Sequence, residues 1–260
     1  PYLIREPQAV NRQIKSEELD NAVWTKVNIT VTADQVTSPD GRFTSDKILR
    51  TSTSASYIGD NCVKTSSVAF DSTTSVFVKK GKGDFFAIRA QGNYPNRAEA
   101  IFQFSNQTLT TSVGGSDFTI IRSKVENYGD GWYRLQFSYN TDSHSDLTNF
   151  FSPRATSGVI DATDTTSDSF AYVWGAQWEQ SQVGATNYIK NDTTGAVTKN
   201  LDNLETKSGQ TYTTGDDVTF YIEFDAYTYA ADFDPMTVIR NSAFDQSFDI
   251  FTYCLLYTSP

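Results

Sequence analysis

An indole, a guanidinium and a carboxamide on alternate positions of one short segment are the first chemistry that this sequence offers. In the run from Trp132 to Tyr139, one alternating set is Tyr133, Leu135, Phe137 and Tyr139, and the other is Trp132, Arg134, Gln136 and Ser138. An extended strand sends the two sets to opposite faces, so the first reads as core and the second as outward. An indole offers a plane to the C–H face of a pyranose, and Arg and Gln offer planar hydrogen-bonding groups to its hydroxyls. Arg89, within 85–91, and Gln103, within 98–105, belong to outward sets of the same kind. Trp132, Arg134, Gln136, Arg89 and Gln103 therefore form a candidate carbohydrate-binding set, provided that their strands lie side by side in one sheet. The competing reading makes Trp132 a packing residue after a Gly turn and the polar set a solvated face.

Other reactive groups are sparse. His144, the single histidine, sits in Asp142-Ser143-His144-Ser145-Asp146, which reads as a polar hairpin loop and not as part of a triad. One His with Cys62 and Cys254 cannot supply the usual four zinc ligands. Cys62 reads as a small buried strand residue. Glu223 and Asp225 alternate on one face of a strand, as the carboxylates of a glycoside hydrolase do, but Tyr227 takes the next position on that face. No catalytic residue is expected, and the chain reads as a non-enzyme. Period-two spacing puts Tyr172, Trp174, Ala176 and Trp178 on one core-facing side of a strand. Tyr94 and Tyr128 fall in loops and are candidates for a groove edge.

The elements that must position these groups are strands. Of the 260 residues 38% are hydrophobic and 14% aromatic, enough for a packed core. Eighteen Phe and 14 Tyr against a single Met suit strands better than helices. Alternation and turn punctuation predict strands over 27–32, 43–50, 73–80, 85–91, 99–105, 117–126, 132–139, 147–154 and 170–179. Ser38-Pro39-Asp40-Gly41 is a turn, and 17–23 can form a short helical turn behind Ser16. This pattern is that of an all-β sandwich.

The formal charge of −10 repels a nucleic-acid backbone, whereas neutral glycans remain compatible. No apolar run reaches the roughly 18 residues of a bilayer span, so no membrane insertion is expected.

The chain reads as an N-terminal segment (1–15), a large β module (16–190), a linker or peripheral strand (191–214) and the truncated start of a second β-sandwich domain (215–252). Residues 253–260, Cys254 among them, break the pattern abruptly. They look like translated sequencing-adapter read-through, which implies a natural chain that continues differently beyond about residue 252.

Several short motifs in order carry a resemblance over roughly residues 5–202. They are Ser16-Glu17-Glu18-Leu19-Asp20-Asn21-Ala22-Val23-Trp24-Thr25-Lys26, Ser38-Pro39-Asp40-Gly41, Ser75-Val76-Phe77-Val78-Lys79-Lys80-Gly81, Gly129-Asp130-Gly131-Trp132-Tyr133-Arg134-Leu135, Trp174-Gly175-Ala176-Gln177-Trp178-Glu179 with Ala185-Thr186-Asn187-Tyr188-Ile189, and Val197-Thr198-Lys199-Asn200-Leu201-Asp202. Together they resemble a carbohydrate-binding-module-like domain of tailed-phage virion proteins. Trp178 stands where that family usually has Leu, and Lys199 where it usually has Arg.

The resemblance implies an antiparallel jelly-roll β-sandwich on the virion surface, within a tail-fibre, head-fibre or similar protein. Its implied partners are host-surface or environmental glycans and other virion subunits. A purely structural packing module without sugar binding is the alternative, and part of a jelly-roll glycoside hydrolase a more distant one. Such jelly rolls often carry a structural Ca²⁺, for which Glu17, Glu18, Asp40, Asp46 and Glu179 are candidate oxygen ligands.

Overall fold

The computed structural model describes residues 8–62, 69–141, 147–180, 182–200, 235–240 and 247–251. The chain divides into two compact units, Pro1–Glu205 and Thr206–Pro260. The strands of the first are β1 (Ala9–Asn11), β2 (Thr25–Val27), β3 (Ile29–Val36), β4 (Ser45–Arg50), β5 (Tyr57–Asn61), β6 (Phe70–Lys82), β7 (Phe85–Gln91), β8 (Arg97–Gln103), β9 (Thr108–Gly114), β10 (Phe118–Gly129), β11 (Trp132–Thr141), β12 (Thr148–Arg154), β13 (Phe170–Gln180) and β14 (Val197–Lys199). In the second, β15 (Pro235–Arg240) and β16 (Ser247–Phe251) pair antiparallel. His144, Glu223, Asp225, Tyr227 and the tail 253–260 lie outside the described residues.

Two six-stranded sheets build the sandwich. The first runs β10-β11-β6-β13-β4-β3 and the second β2-β5-β12-β7-β8-β9, with antiparallel neighbours throughout. Their central quartets, β4-β13-β6-β11 and β5-β12-β7-β8, are filled by a chain that passes repeatedly from one sheet to the other. That order is the jelly roll, two Greek keys wrapped face to face. β10, paired with β11, forms one edge of the first sheet and β9, paired with β8, one edge of the second, and β1 with β14 forms a separate two-stranded ribbon.

The expected strands formed, with β7 at its predicted bounds, and the expected core faces point inward. Phe86, Ile88 and Ala90 of β7, Ala98, Ala100 and Phe102 of β8, and Leu135, Phe137 and Tyr139 of β11 are all buried in one core. Each fully buried Phe or Leu contributes about 1.5–3 kcal/mol of transfer free energy. β1, β5 and β9 lie outside the expected strands, and β14 falls within 191–214, read as a linker or peripheral strand. The expected helical turn near 17–23 is instead a series of tight turns, closed by Glu18 N to Lys15 O, Asn21 N to Glu18 O and Trp24 N to Asn21 O.

A polar chain crosses the apolar interior. Gln13 Nε2 donates to Asp60 Oδ2 at 2.8 Å, and Asn149 Nδ2 donates to Gln13 Oε1 at 2.9 Å. Thr74 Oγ1 donates to Asn149 Oδ1 at 3.0 Å and lies 2.9 Å from the Tyr139 hydroxyl, which accepts from Trp178 Nε1 at 3.0 Å. Each buried polar group so paired avoids a desolvation cost of about 1–3 kcal/mol.

Candidate functional site

The five residues singled out for sugar binding do not share a sheet. Trp132, Arg134 and Gln136 lie on β11 in the first sheet, whereas Arg89 and Gln103 lie on β7 and β8 in the second. Both groups point outward as alternation requires, but from opposite sides of the sandwich.

Four of them are also covered. Trp132 is 3% exposed, Arg134 2%, Gln136 4% and Arg89 2%. Trp132 Nε1 donates to Thr37 O at 3.0 Å. Gln136 Oε1 accepts from Ala185 N at 2.9 Å, and its Nε2 donates to Glu126 Oε2 at 3.0 Å. The Arg134 guanidinium stacks over Phe77 at 5.2 Å and donates to Ser75 Oγ. Arg89 spends its donors on Glu99 Oε1, both oxygens of Asp161 and Gln91 Oε1. Gln103 is partly exposed and donates to Asp84 and Ser105.

The outer face of the first sheet is closed by the segment that follows β13. Gly184 N donates to Thr73 Oγ1 and Ser138 Oγ, both at 2.9 Å. Thr186 donates through N and Oγ1 to Glu179, and Ile189 N donates to Gln177 Oε1 at 2.7 Å. Burial pushes the Glu179 carboxyl up from its ordinary pKa, partly offset by the Thr186 and Gln177 hydrogen bonds.

Period two fails in β13, and its failure moves a tryptophan. Pairing with β6 slips between Trp174 and Gln177, at Gly175, whose φ is +64°. A Cβ there would approach Phe77 Cδ2 to 3.0 Å and Tyr188 Cε2 to 3.2 Å. The bulge puts one extra residue into β13. Ala176 and Trp178 consequently enter the main core, while Trp174 packs outside the sheet with Phe77 and Trp132. The four residues assigned to one core face are thus split between two faces.

The outer face of the second sheet is different. Thr25, Gly59, Phe150, Arg89 and Glu99 form one row of register partners across β2, β5, β12, β7 and β8. Its Arg89 end is roofed by the loop after β12, through the Asp161 pair and the bond from Ile160 N to Glu99 Oε2. The other end opens into a cleft of about 210 Å³, lined by Val23, Thr25, Tyr57, Gly59, Asp60, Asn61, Thr148 and Phe150. The Tyr57 and Phe150 rings meet edge to face, 5.1 Å apart at 87°. Gly59 makes that possible, because a Cβ there would lie 2.4 Å from Phe150 Cδ1.

Polar groups border these rings. Thr148 Oγ1 donates to Asn61 Oδ1 at 2.6 Å, which fixes the exposed amide. Asp60, between Gly59 and Asn61 in sequence, turns its carboxyl inward to Gln13, and burial pushes it up to a pKa of about 7. No cationic side chain lines the cleft. An aromatic pair beside a fixed amide and two hydroxyl side chains can stack on a sugar ring and bond its hydroxyls. Period-two reasoning missed Tyr57 and Phe150; the signal present in sequence was the Gly59 gap beside an aromatic of alternating exposure.

The proposed calcium donors are engaged by other groups of the protein, Glu17 and Asp40 sharing Arg42. Glu17 pairs with Arg42 and Lys190, Glu18 with Lys15, and Asp40 with Arg42. Asp46 accepts from Leu19 N and Asp34 N, and burial raises its pKa to about 6. Among the described residues no group of three or more His, Cys, Asp or Glu side chains gathers as a metal site would.

The strand order defines the class of this domain: an antiparallel jelly-roll β-sandwich. No protein-family model matches the chain, and no curated protein matches it. Among solved structures, it is similar to the CBM22-1 xylan-binding domain from Paenibacillus barcinonensis, at 12% identity and a TM-score of 0.37, covering 68% of this chain and 94% of that one. It is also similar to the CBM22-1–GH10 modules of a Clostridium thermocellum endo-1,4-β-D-xylanase complexed with xylohexaose, at 14% identity and a TM-score of 0.35, covering 72% of this chain and 30% of that one. A candidate sugar-binding protein of Bacteroides thetaiotaomicron matches at 9% identity and a TM-score of 0.35, covering 65% and 93% of the two chains. At these values the likenesses carry no ligand across.

Proposed function

We propose that this chain is a non-catalytic glycan-binding module that holds a neutral oligosaccharide on the outer face of its second sheet. The observation that carries the reading is the Tyr57–Phe150 pair, open to solvent over Gly59 and bordered by Asn61 and Thr148. The anionic chain and a cleft without cations both favour an uncharged sugar. The sequence motifs support a setting on the surface of a tailed-phage particle, where many copies turn weak single-site binding into adhesion to host or environmental glycans.

A second reading is a packing module that contacts other virion subunits and binds no sugar. The exposed side chains of Phe43, Tyr94, Val113 and Ile121 favour it, because each is a large apolar group open to a partner.

Probing an array of neutral oligosaccharides with the chain in multivalent display separates the two. Binding by the wild type and its loss in Tyr57→Ala, at an unchanged melting temperature, is the expected result. A folded chain that binds nothing on the array supports the packing module instead.

A further inference from the structure

Outside the first sheet, on the face opposite the cleft, lies a second concavity of about 260 Å³, lined by Pro39, Asp40, Phe77, Tyr128, Trp174, Asn187 and Tyr188. Four of these are aromatic, and their rings meet at steep angles. Phe77 lies 4.9 Å from Tyr128, 5.2 Å from Trp174 and 6.1 Å from Tyr188, and Trp174 lies 4.4 Å from Tyr188. Phe77 and Trp174 form a buried floor, whereas Tyr128 is 48% exposed and forms an open wall.

We propose that this basin is a second sugar site, independent of the cleft, which takes the apolar face of a single neutral pyranose. Charge on the rim selects for neutrality. Arg42 stands with Asp40 and Glu17, and Arg134 already stacks on Phe77. These charges are paired among themselves, Lys190 with Glu17 included, and so favour neither a cation nor an anion.

A hydrogen-bond deficit selects for hydroxyl oxygens. Among the described residues the buried indole N–H of Trp174 finds no acceptor, a state that costs about 1–3 kcal/mol. Tyr128 stands exposed at the edge, its ring against Phe77 of the floor. The Gly175 bulge is what creates the site, since strict alternation would have kept Trp174 in line with Trp178.

The isotope-labelled full chain gives one indole N–H resonance for each of its four tryptophans, and Trp174→Phe identifies the relevant one. Titration with methyl glycosides of glucose, galactose and N-acetylglucosamine is expected to move that resonance saturably with at least one sugar. The shift should persist in Tyr57→Ala, which alters only the cleft, and weaken about tenfold in the exposed variant Tyr128→Ala. Choline chloride, a cationic probe for an aromatic cage, should leave it unmoved. No saturable shift with any glycoside, an unchanged affinity in Tyr128→Ala, or a response to choline alone would overturn the proposal. Because Tyr128 is exposed, its variant keeps the test open even where Trp174→Phe fails to fold.

Discussion

The two outer faces of this sandwich start from the same kind of strand and end differently. On the first sheet, the outward residues Arg134, Gln136, Ser138, Gln177 and Glu179 are covered by the segment after β13. On the second, the loop after β12 covers only the Arg89 end of a row whose other end remains open at Tyr57 and Phe150. An outward polar side chain is therefore not by itself a binding residue. Arg89 and Gln136 look alike in sequence to Asn61 and Thr148, but the first two fasten the chain to itself. The half-covered face combines rigidity with access, which is what a preorganised site needs.

That contrast can be broken from the covered end first. Arg89→Ala should destabilise the domain most, by about 3 kcal/mol, because Glu99 then stays buried with Arg97 as its remaining cation. Urea unfolding measures this, and a loss well under about 1 kcal/mol would show that the roof is not anchored there. Gln177→Ala comes next, at about 2 kcal/mol, since it strips Ile189 N of its acceptor and loosens the segment over the first sheet.

Asp60→Asn tests the buried polar chain behind the open end through pH. The Asp60 carboxyl has a folded pKa of about 7 against an ordinary value of 3.8, so the folded state holds its proton more tightly. The associated stability is fully present below about pH 4 and lost as pH rises through about 7. Asp60→Asn keeps an oxygen acceptor for Gln13, so the variant should unfold later than the wild type at pH 8 and about equally at pH 4. Asp46, raised to about 6, retains a smaller slope of the same sign in both proteins. An identical pH profile for variant and wild type would contradict the assigned burial of Asp60. Tyr57→Ala is the mildest change to the fold, at under about 1 kcal/mol, because the ring is part-exposed.

Face assignment in β7, β8 and β11 was legible because long, strict alternation leaves one register that buries the apolar set. The class of fold followed from many such segments with turn residues between them. Sheet membership was not legible, since alternation states which way a side chain points and not which strand lies beside it. This is why Trp132 and Arg89 were grouped although they face opposite sides. The Gly175 bulge inverted Trp174 relative to Trp178, an event marked only by one glycine inside an apolar strand. The cover over Gln136 depends on Gly184 and Ala185 donating backbone hydrogen bonds, which side-chain pattern does not record.

The central claim is that sugar binds at the open end of the second sheet. A map of backbone amide shifts in the wild-type chain, titrated with xylohexaose and separately with cellohexaose, tests it most directly. With the ligand that binds, the largest shifts are predicted at Tyr57, Gly59, Asn61, Thr148 and Phe150, with Arg89 and Glu99 nearly still. Saturable shifts that avoid these residues and centre on the β9–β10 edge, or no shift with either hexasaccharide, would contradict it.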